Sequence, residues 1–369
     1  IAMSKKKVLH ITSSFMPPKV QRDISFINDV CDPELYTGAR VGGISNIIDQ
    51  LATHLDKYEH HILLRQHVDY VRGTAFNFNG RIAHEKRENI TIHHFPLVGD
   101  TSKLEEVDYT LSGLLSQDYD DFKFDIIVTH VVEPGQDLSK VDKKARWINC
   151  THGSNKNYDL EQRYLELIDN IHLMSEWQLS NPEKGGLKDK SKAVIVGHGV
   201  DTNIFKPNEK ADNQYVWHGR ISNEKQILAF TDYFGEQCKD KELYIIGGPD
   251  HPQHMEGWQQ PRNVIMHGRL FDDILALNIS LHENYVLPSQ YETFCAALLE
   301  GVSCCKNVYA NYHESMEWAK DVVVFSESHM EMCDNINRKK TLDVDGYQFV
   351  KDNYSWEALK PKYYEMYDG

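Results

Sequence analysis

The residues best placed to do chemistry fall in VLPSQYETFCAALLEG, residues 286–301. Val286 and Leu287 end an apolar approach at Pro288, and good helix formers follow from about Thr293, so the stretch reads as strand, tight turn and helix N-terminus. The first amides of a helix have no intrahelical partner and lie at the positive end of its dipole, which makes Thr293, Phe294 and Cys295 an expected cradle for phosphate. Glu292 stands at its mouth, and Glu300 follows eight residues later, about two turns and roughly 12 Å on. Carboxylates so placed suit a long ligand with hydroxyls at both ends and phosphates between. A solvated helix face carries the same spacing, so the pair needs company.

Company comes from WHGRISNEKQILAF, residues 217–230, which puts Arg220 just beyond a strand and Lys225 at the start of the next helix. Two cations beside a helix N-terminus form a pyrophosphate clamp that neutralises leaving-group charge without a metal. Near the start of the chain, Gly42 and Gly43 precede a helix with Ile44, Ile47, Ile48, Leu51 and Leu55 at helical spacing. Glycines there let backbone approach a ligand, although the dinucleotide fingerprint is absent. His130, in VTHVVEPG, and His152, in NCTHGSN, each stand just past a strand-like run. That is where parallel sheets bind ligands. The pairs His60–His61 and His93–His94 point to opposite strand faces, and neither they nor HPQH at 251–254 has a carboxylate partner pattern, so no metal site is expected.

The elements that must position these residues follow one pattern. Short apolar runs alternate with helical stretches, the signature of an α/β chain with a mostly parallel sheet. Strands are expected at Lys7–Thr12, His61–Arg65, Ile90–Phe95, Phe124–His130, Arg146–Cys150 and in AVIVGHGV. A second series follows in YVWHGR, ELYIIGGP, NVIMHGRL, ENYVLPS, KNVYAN and DVVVFS. Residues 13–41 are too long for an ordinary connection and read as a functional loop or insertion. Turn-rich GVDTNIFKPN marks the domain boundary, giving domains at 1–198 and 199–353. A terminal helix over 354–369 carries Trp356, Leu359, Tyr363, Tyr364 and Tyr367 at helical spacing.

The chain has 369 residues, enough for two domains with separate cores. A formal net charge of −15 disfavours a dedicated nucleic-acid or anionic-membrane surface. No run is apolar enough to span a membrane, and the lysines at 5–7 precede only a strand-like run, so no secretory leader is expected. Seven cysteines without CxxC pairing fit a reduced, cytoplasmic setting.

Taken in order, these segments resemble the retaining GT-B nucleotide-sugar glycosyltransferases, specifically glycosyltransferase family 4, over most of the chain. The Gly42–Gly43 helix resembles the family's glycine-rich loop, TxHG at Thr151–Gly153 its histidine loop, and GVDTNIFKP its linker. HGRISNEKQ is similar to its GR....K segment, NVIMHGRL to the strand before its base-binding loop, and PSQYETFCAALLEG to its Glu, seven residues, Glu motif.

The resemblance implies two Rossmann-like domains facing across a cleft, with the terminal helix returning to the first. It assigns the donor diphosphate to Arg220 and Lys225, the transferred sugar to Glu292, the distal phosphate to the amides near Phe294 and Cys295, and the ribose to Glu300. The loop after Arg269, from Leu270, would carry the base, and His152 would sit near the anomeric carbon with His130 and Ser154 on the acceptor side. The donor is expected to be a nucleotide sugar, a UDP-sugar first and a GDP-sugar second, with no further cofactor. A phosphate oxygen would take the acceptor proton.

Where the family commonly has Glu-Gly-Phe-Gly this chain has Glu292-Thr293-Phe294-Cys295; Gln226 follows the lysine where glycine is usual, and SCCKNV (303–308) replaces Gly-x-Pro. These departures mark a divergent member, a viral one among the readings. The acceptor is a saccharide, glycolipid or small-molecule hydroxyl. One alternative is a phage enzyme acting on hydroxymethylated DNA bases, which would need a basic surface of Lys19, Arg22, Arg40, Lys156 and Arg163. A nucleotide-sugar epimerase and an inactive nucleotide-sugar binder are the others.

Overall fold

The computed structural model describes residues 4–12, 43–65, 83–87, 90–95, 123–130, 144–152, 166–180, 187, 189–209, 211–249, 252–270 and 272–369. Gly42, Ser154, the 13–41 loop, the basic residues Lys19, Arg22, Arg40, Lys156 and Arg163, and His251 lie outside them. The chain divides into two units: Ile1–Val196 with Lys360–Gly369, and Gly197–Leu359.

Unit 1 contains β1 (Lys7–Thr12), α1 (Gly43–His54), β2 (Glu59–Arg65), β3 (Ala83–Arg87), β4 (Ile90–Phe95), β5 (Ile126–Thr129), β6 (Arg146–Thr151), β7 (Asn170–Leu173), the one-turn α2 (Trp177–Ser180) and β8 (Ala193–Ile195). The sheet runs β3-β4-β2-β1-β5-β6-β7-β8. All its pairings are parallel except β3 with β4. Strands covered on both faces read as unbroken apolar runs, as in β5, where all four residues are buried. One face holds Leu9, Ile11, Ile127, Trp147, Ile171 and Leu173. On the other, Ile48 and Ala52 of α1 pack with Ile62 and Ile90. The apolar stripe expected on this helix is therefore its buried face, with Ile47, Leu51 and Leu55 also buried.

Unit 2 contains β9 (Asp212–Ile221), α3 (Ile227–Gln237), β10 (Leu243–Pro249), β11 (Val264–Gly268), α4 (Asp272–Ser280), β12 (His282–Leu287), α5 (Ala296–Cys304), β13 (Asn307–Asn311), β14 (Val324–Ser326), α6 (His329–Asn337), α7 (Gly346–Asn353) and α8 (Trp356–Asp368). Its six strands are all parallel in the order β11-β10-β9-β12-β13-β14. Numbered within the unit this is 3-2-1-4-5-6, the doubly wound order, and the strand order reverses between β9 and β12.

The first residues of α8 count with unit 2 and those from Lys360 with unit 1. Within unit 1 its Tyr363 and Tyr367 are buried, edge-on to His172 at 5.5 Å and tilted on Tyr58 at 5.4 Å respectively. Arg146 Nε donates to the Met366 carbonyl at 2.9 Å, and Asp368 pairs with Lys6 and Lys57. Two strands escaped the sequence reading. β3, AHEKR, is an antiparallel edge without an apolar run, and β7, NIHL, is only four residues long.

Candidate functional site

In open α/β sheets the crevice at the carboxyl ends of the strands, where strand order reverses, is where ligands bind. In unit 2 that point lies between β9, which carries Arg220, and β12, which leads to Glu292. The sequence reading put Arg220 beyond its strand and Lys225 on the next helix. The structure instead makes Arg220 the penultimate residue of β9 and sets Lys225 in the single 3-10 turn Asn223–Lys225 ahead of α3.

Lys225 Nζ donates to Glu292 Oε1 at 2.6 Å, with side-chain exposures of 19% and 7%. Burial acts against the lysine charge, but the Glu292 carboxylate and neighbouring Cys295 outweigh it and hold the Lys225 pKa above its ordinary value. Arg220 is half exposed and pairs with Glu224 at 3.2 Å.

The loop from Pro288 to Cys295 is held from several sides. Gln290 N donates to the Glu224 carbonyl at 2.9 Å, Asn311 Nδ2 to the Pro288 carbonyl at 3.0 Å, Ser315 Oγ to the Glu292 carbonyl at 2.8 Å and Trp318 Nε1 to the Phe294 carbonyl at 3.0 Å. Phe294 is buried and stacked on Trp318 with centroids 5.0 Å apart. A loop so tied keeps its backbone amides fixed before any ligand arrives.

α5 begins at Ala296, three residues later than expected, so Glu292 is not on the helix and no helical ladder joins it to Glu300. Cys295 caps α5 with φ 69° and ψ 80°, and its Sγ accepts from Leu298 N at 3.4 Å. That left-handed backbone favours glycine, which is why the departure at this position is conformationally costly.

Glu300, in the second turn of α5, accepts from His218 Nε2 at 2.6 Å, and His218 Nδ1 lies 3.1 Å from the Tyr285 hydroxyl. Since Nε2 carries a proton to a carboxylate, a neutral His218 accepts the tyrosine proton at Nδ1. The sequence reading missed His218, although it is the residue before the Gly-Arg pair that reading singled out. Gly219 and Gly247 let β9 and β10 close up at these carboxyl ends: a Cβ on Gly247, whose φ is +154°, would lie 1.9 Å from the Gly219 carbonyl oxygen. Exposed Arg269 donates from Nη2 to the Pro249 carbonyl at 2.7 Å, with half-buried Leu270 following it after β11. Thr293 is half-buried in the loop.

In unit 1, α1 starts at Gly43 itself, where the sequence reading had both glycines precede the helix. His130 is fully buried past β5 and His152 half-buried past β6. The structure brings these two together, His130 Nδ1 lying 2.8 Å from His152 Nε2 with the rings stacked at 5.1 Å. Among the described residues, His130, Cys150 and His152 form a group whose potential ligand atoms all lie within 4.8 Å of one another, a combination the sequence reading did not weigh. No helix among the described residues is long and apolar enough to cross a membrane.

Residues 212–337 match the family described as Glycosyl transferases group 1. A probable sucrose-phosphate synthase of Thermosipho melanesiensis is 21% identical over 203 residues, covering 48% of this chain and 47% of that relative, so the match spans about half of either. Sucrose-phosphate synthase from Thermosynechococcus elongatus superposes with a TM-score of 0.73 at 16% identity, covering 99% of this chain and 98% of that one. HepE of Anabaena, solved in complex with UDP and glucose, superposes with a TM-score of 0.65 at 13% identity over 99% and 100%. Residues 212–337 are therefore similar to a group 1 glycosyl transferase domain, and the two parallel-sheet units have the GT-B fold.

Proposed function

We propose that this chain is a retaining glycosyltransferase that moves a sugar from a nucleoside-diphosphate sugar to a hydroxyl acceptor without a metal ion. The observation that carries this reading is the pairing of Lys225 with Glu292 and of His218 with Glu300 beside the strand-order reversal of the group 1 domain. As a diphosphate leaves, charge grows on its oxygens, and preformed cations stabilise that charge more than the ground state. Lys225 and Arg220 supply the cations. Lys225 exchanges its bond to Glu292 for one to phosphate, and Glu292 is then released to accept from hydroxyls of the transferred sugar. The amides near Phe294 and Cys295 meet the distal phosphate, and Glu300, oriented by His218, takes the ribose hydroxyls. Arg269 and Leu270 lead into the base-binding loop. The departing phosphate oxygen takes the acceptor proton, so no enzymic base is required.

A UDP-sugar is the donor we favour, with HepE as the relative bound to UDP and glucose. A saccharide, glycolipid or small molecule supplies the acceptor hydroxyl. Thermal unfolding with UDP, GDP, ADP and their sugars, in EDTA, tests the reading, because a ligand that binds the native state raises its melting temperature. One nucleotide class should stabilise the chain despite EDTA. Stabilisation that needs a divalent cation, or none across the panel, would overturn it.

A further inference from the structure

Four histidines of unit 1 form one hydrogen-bonded line that starts at a helix end. The carbonyl of Leu55, just past α1, lies 3.1 Å from His60 Nε2. His60 Nδ1 lies 3.0 Å from His10 Nε2, His10 Nδ1 2.9 Å from His130 Nε2, and His130 Nδ1 2.8 Å from His152 Nε2. Sheet register builds the line. His60 pairs with Val8, and His10 stands two residues further on; His10 pairs with Val128, and His130 stands two residues beyond that. Val128 pairs with Ile148, and His152 lies four residues past Ile148. Residues two apart on a strand share a face, so the rings climb one side of the sheet across β2, β1, β5 and β6 towards its carboxyl edge.

The proton positions follow from the first link. A carbonyl only accepts, so His60 carries its proton on Nε2, and a neutral imidazole protonated there accepts at Nδ1. His10 must then donate from Nε2 and accept at Nδ1. The same holds for His130, and His152 in turn donates from Nε2, leaving Nδ1 unprotonated. Burial, with smaller contributions from neighbouring histidines, holds His10 well below its ordinary pKa; burial likewise holds His60 at about 4, so both rings are neutral at pH 7.

Two other uses of the line fit less well. A proton wire would have to place an imidazolium on buried His10 and would end at a carbonyl that cannot take the proton. A metal held by His130, Cys150 and His152 meets a spacing problem: nitrogens sharing a tetrahedral ion at about 2.0–2.1 Å stand about 3.4 Å apart, not hydrogen-bond distance. The thiol is also protonated. His172 Nε2 donates to the Val196 carbonyl at 2.7 Å, so its Nδ1 accepts from Cys150 Sγ–H at 3.2 Å, and burial pushes that thiol's pKa well up.

We infer that His60, His10 and His130 are positioning residues that lock His152 in the Nε2-protonated tautomer.

The ring nitrogens of ¹⁵N-histidine-labelled chain, read by long-range proton–nitrogen correlation at pH 7, test this directly. His152 should show a protonated Nε2 and a bare Nδ1. His60→Phe, which removes a link three hydrogen bonds away, should turn His152 into a tautomer mixture. His60→Gln, whose amide can accept from His10 and donate to Leu55, should keep one tautomer. A proton on Nδ1 of His152 in the unaltered chain, or a pure Nε2-protonated form surviving in folded His60→Phe, overturns the lock. The unaltered chain decides the point even if His60→Phe fails to fold.

Discussion

Lys225 Nζ and Glu292 Oε1 stand 2.6 Å apart with both side chains largely shielded from water. Removing one member of a shielded pair leaves the other charge without its partner, which costs more than the pair contributes. Lys225→Ala and Glu292→Ala should each abolish transfer while leaving the chain folded, and each should lose about 3 kcal/mol of unit 2 stability. The double variant should recover part of that stability and none of the activity. Denaturation midpoints and turnover measured on the three proteins check this. Turnover in either single variant would remove the clamp.

Glu300 is held by His218, which is held in turn by Tyr285. A carboxylate fixed by a charge-assisted bond meets a ribose without first losing its own freedom of rotation. Glu300→Ala should weaken nucleotide binding about tenfold to a hundredfold, by loss of hydrogen bonds to a charged acceptor. His218→Phe should produce a smaller loss of the same kind. Titration calorimetry with the free nucleotide is the check, and equal affinity in Glu300→Ala would place the ribose elsewhere.

Most of the strands that carry these residues were legible from short apolar runs in buried parallel strands, as at 126–128 and 285–287. Beyond the strands, candidate residues stood out in the sequence only where their type was unusual for such a position, as at Glu292, Lys225 and His152. His10 and His60 did not. A histidine inside a strand looks like any half-polar position until register shows which face it shares with its neighbours. The start of α5 was misplaced for a local reason. Thr293 and Phe294 do not exclude a helix, and nothing in the residue type of Cys295 announces its positive φ. Only the departure from glycine there hinted at it.

Gly247 tests how tightly the carboxyl end of β9 is pressed against β10. Its added Cβ would meet backbone, the Gly219 carbonyl at 1.9 Å, and backbone cannot turn aside as a side chain can. Gly247→Ala should therefore cost unit 2 several kcal/mol and shift both the Arg220 and Pro249 ends of the crevice. Gly257 offers the control, since it too has a positive φ, +75°, but nothing lies within 4 Å of its Cβ position. Gly257→Ala should cost only its backbone strain, about 1 kcal/mol. Similar melting temperatures for the two variants would mean that the strands can part without cost.

His172 makes unit 1 sensitive to acid. Burial depresses its pKa to about 4, because a charged ring there would have no water, and this outweighs the bond to the Val196 carbonyl, which acts to raise it. The unfolded chain takes up this proton as pH falls through about 6.5, while the folded chain resists until about 4. The stability contributed is thus complete above pH 6.5 and lost progressively as pH falls towards 4, amounting to about 2 kcal/mol at pH 5. A glutamine can serve both its partners, the Val196 carbonyl and the Cys150 thiol, without titrating. Between pH 7 and pH 5, His172→Gln should lose about 2 kcal/mol less than the unaltered chain, read from urea unfolding of unit 1. Carboxylate titration is common to both proteins and cancels in the difference, so an equal loss in the two would mean that His172 enters the folded state already charged.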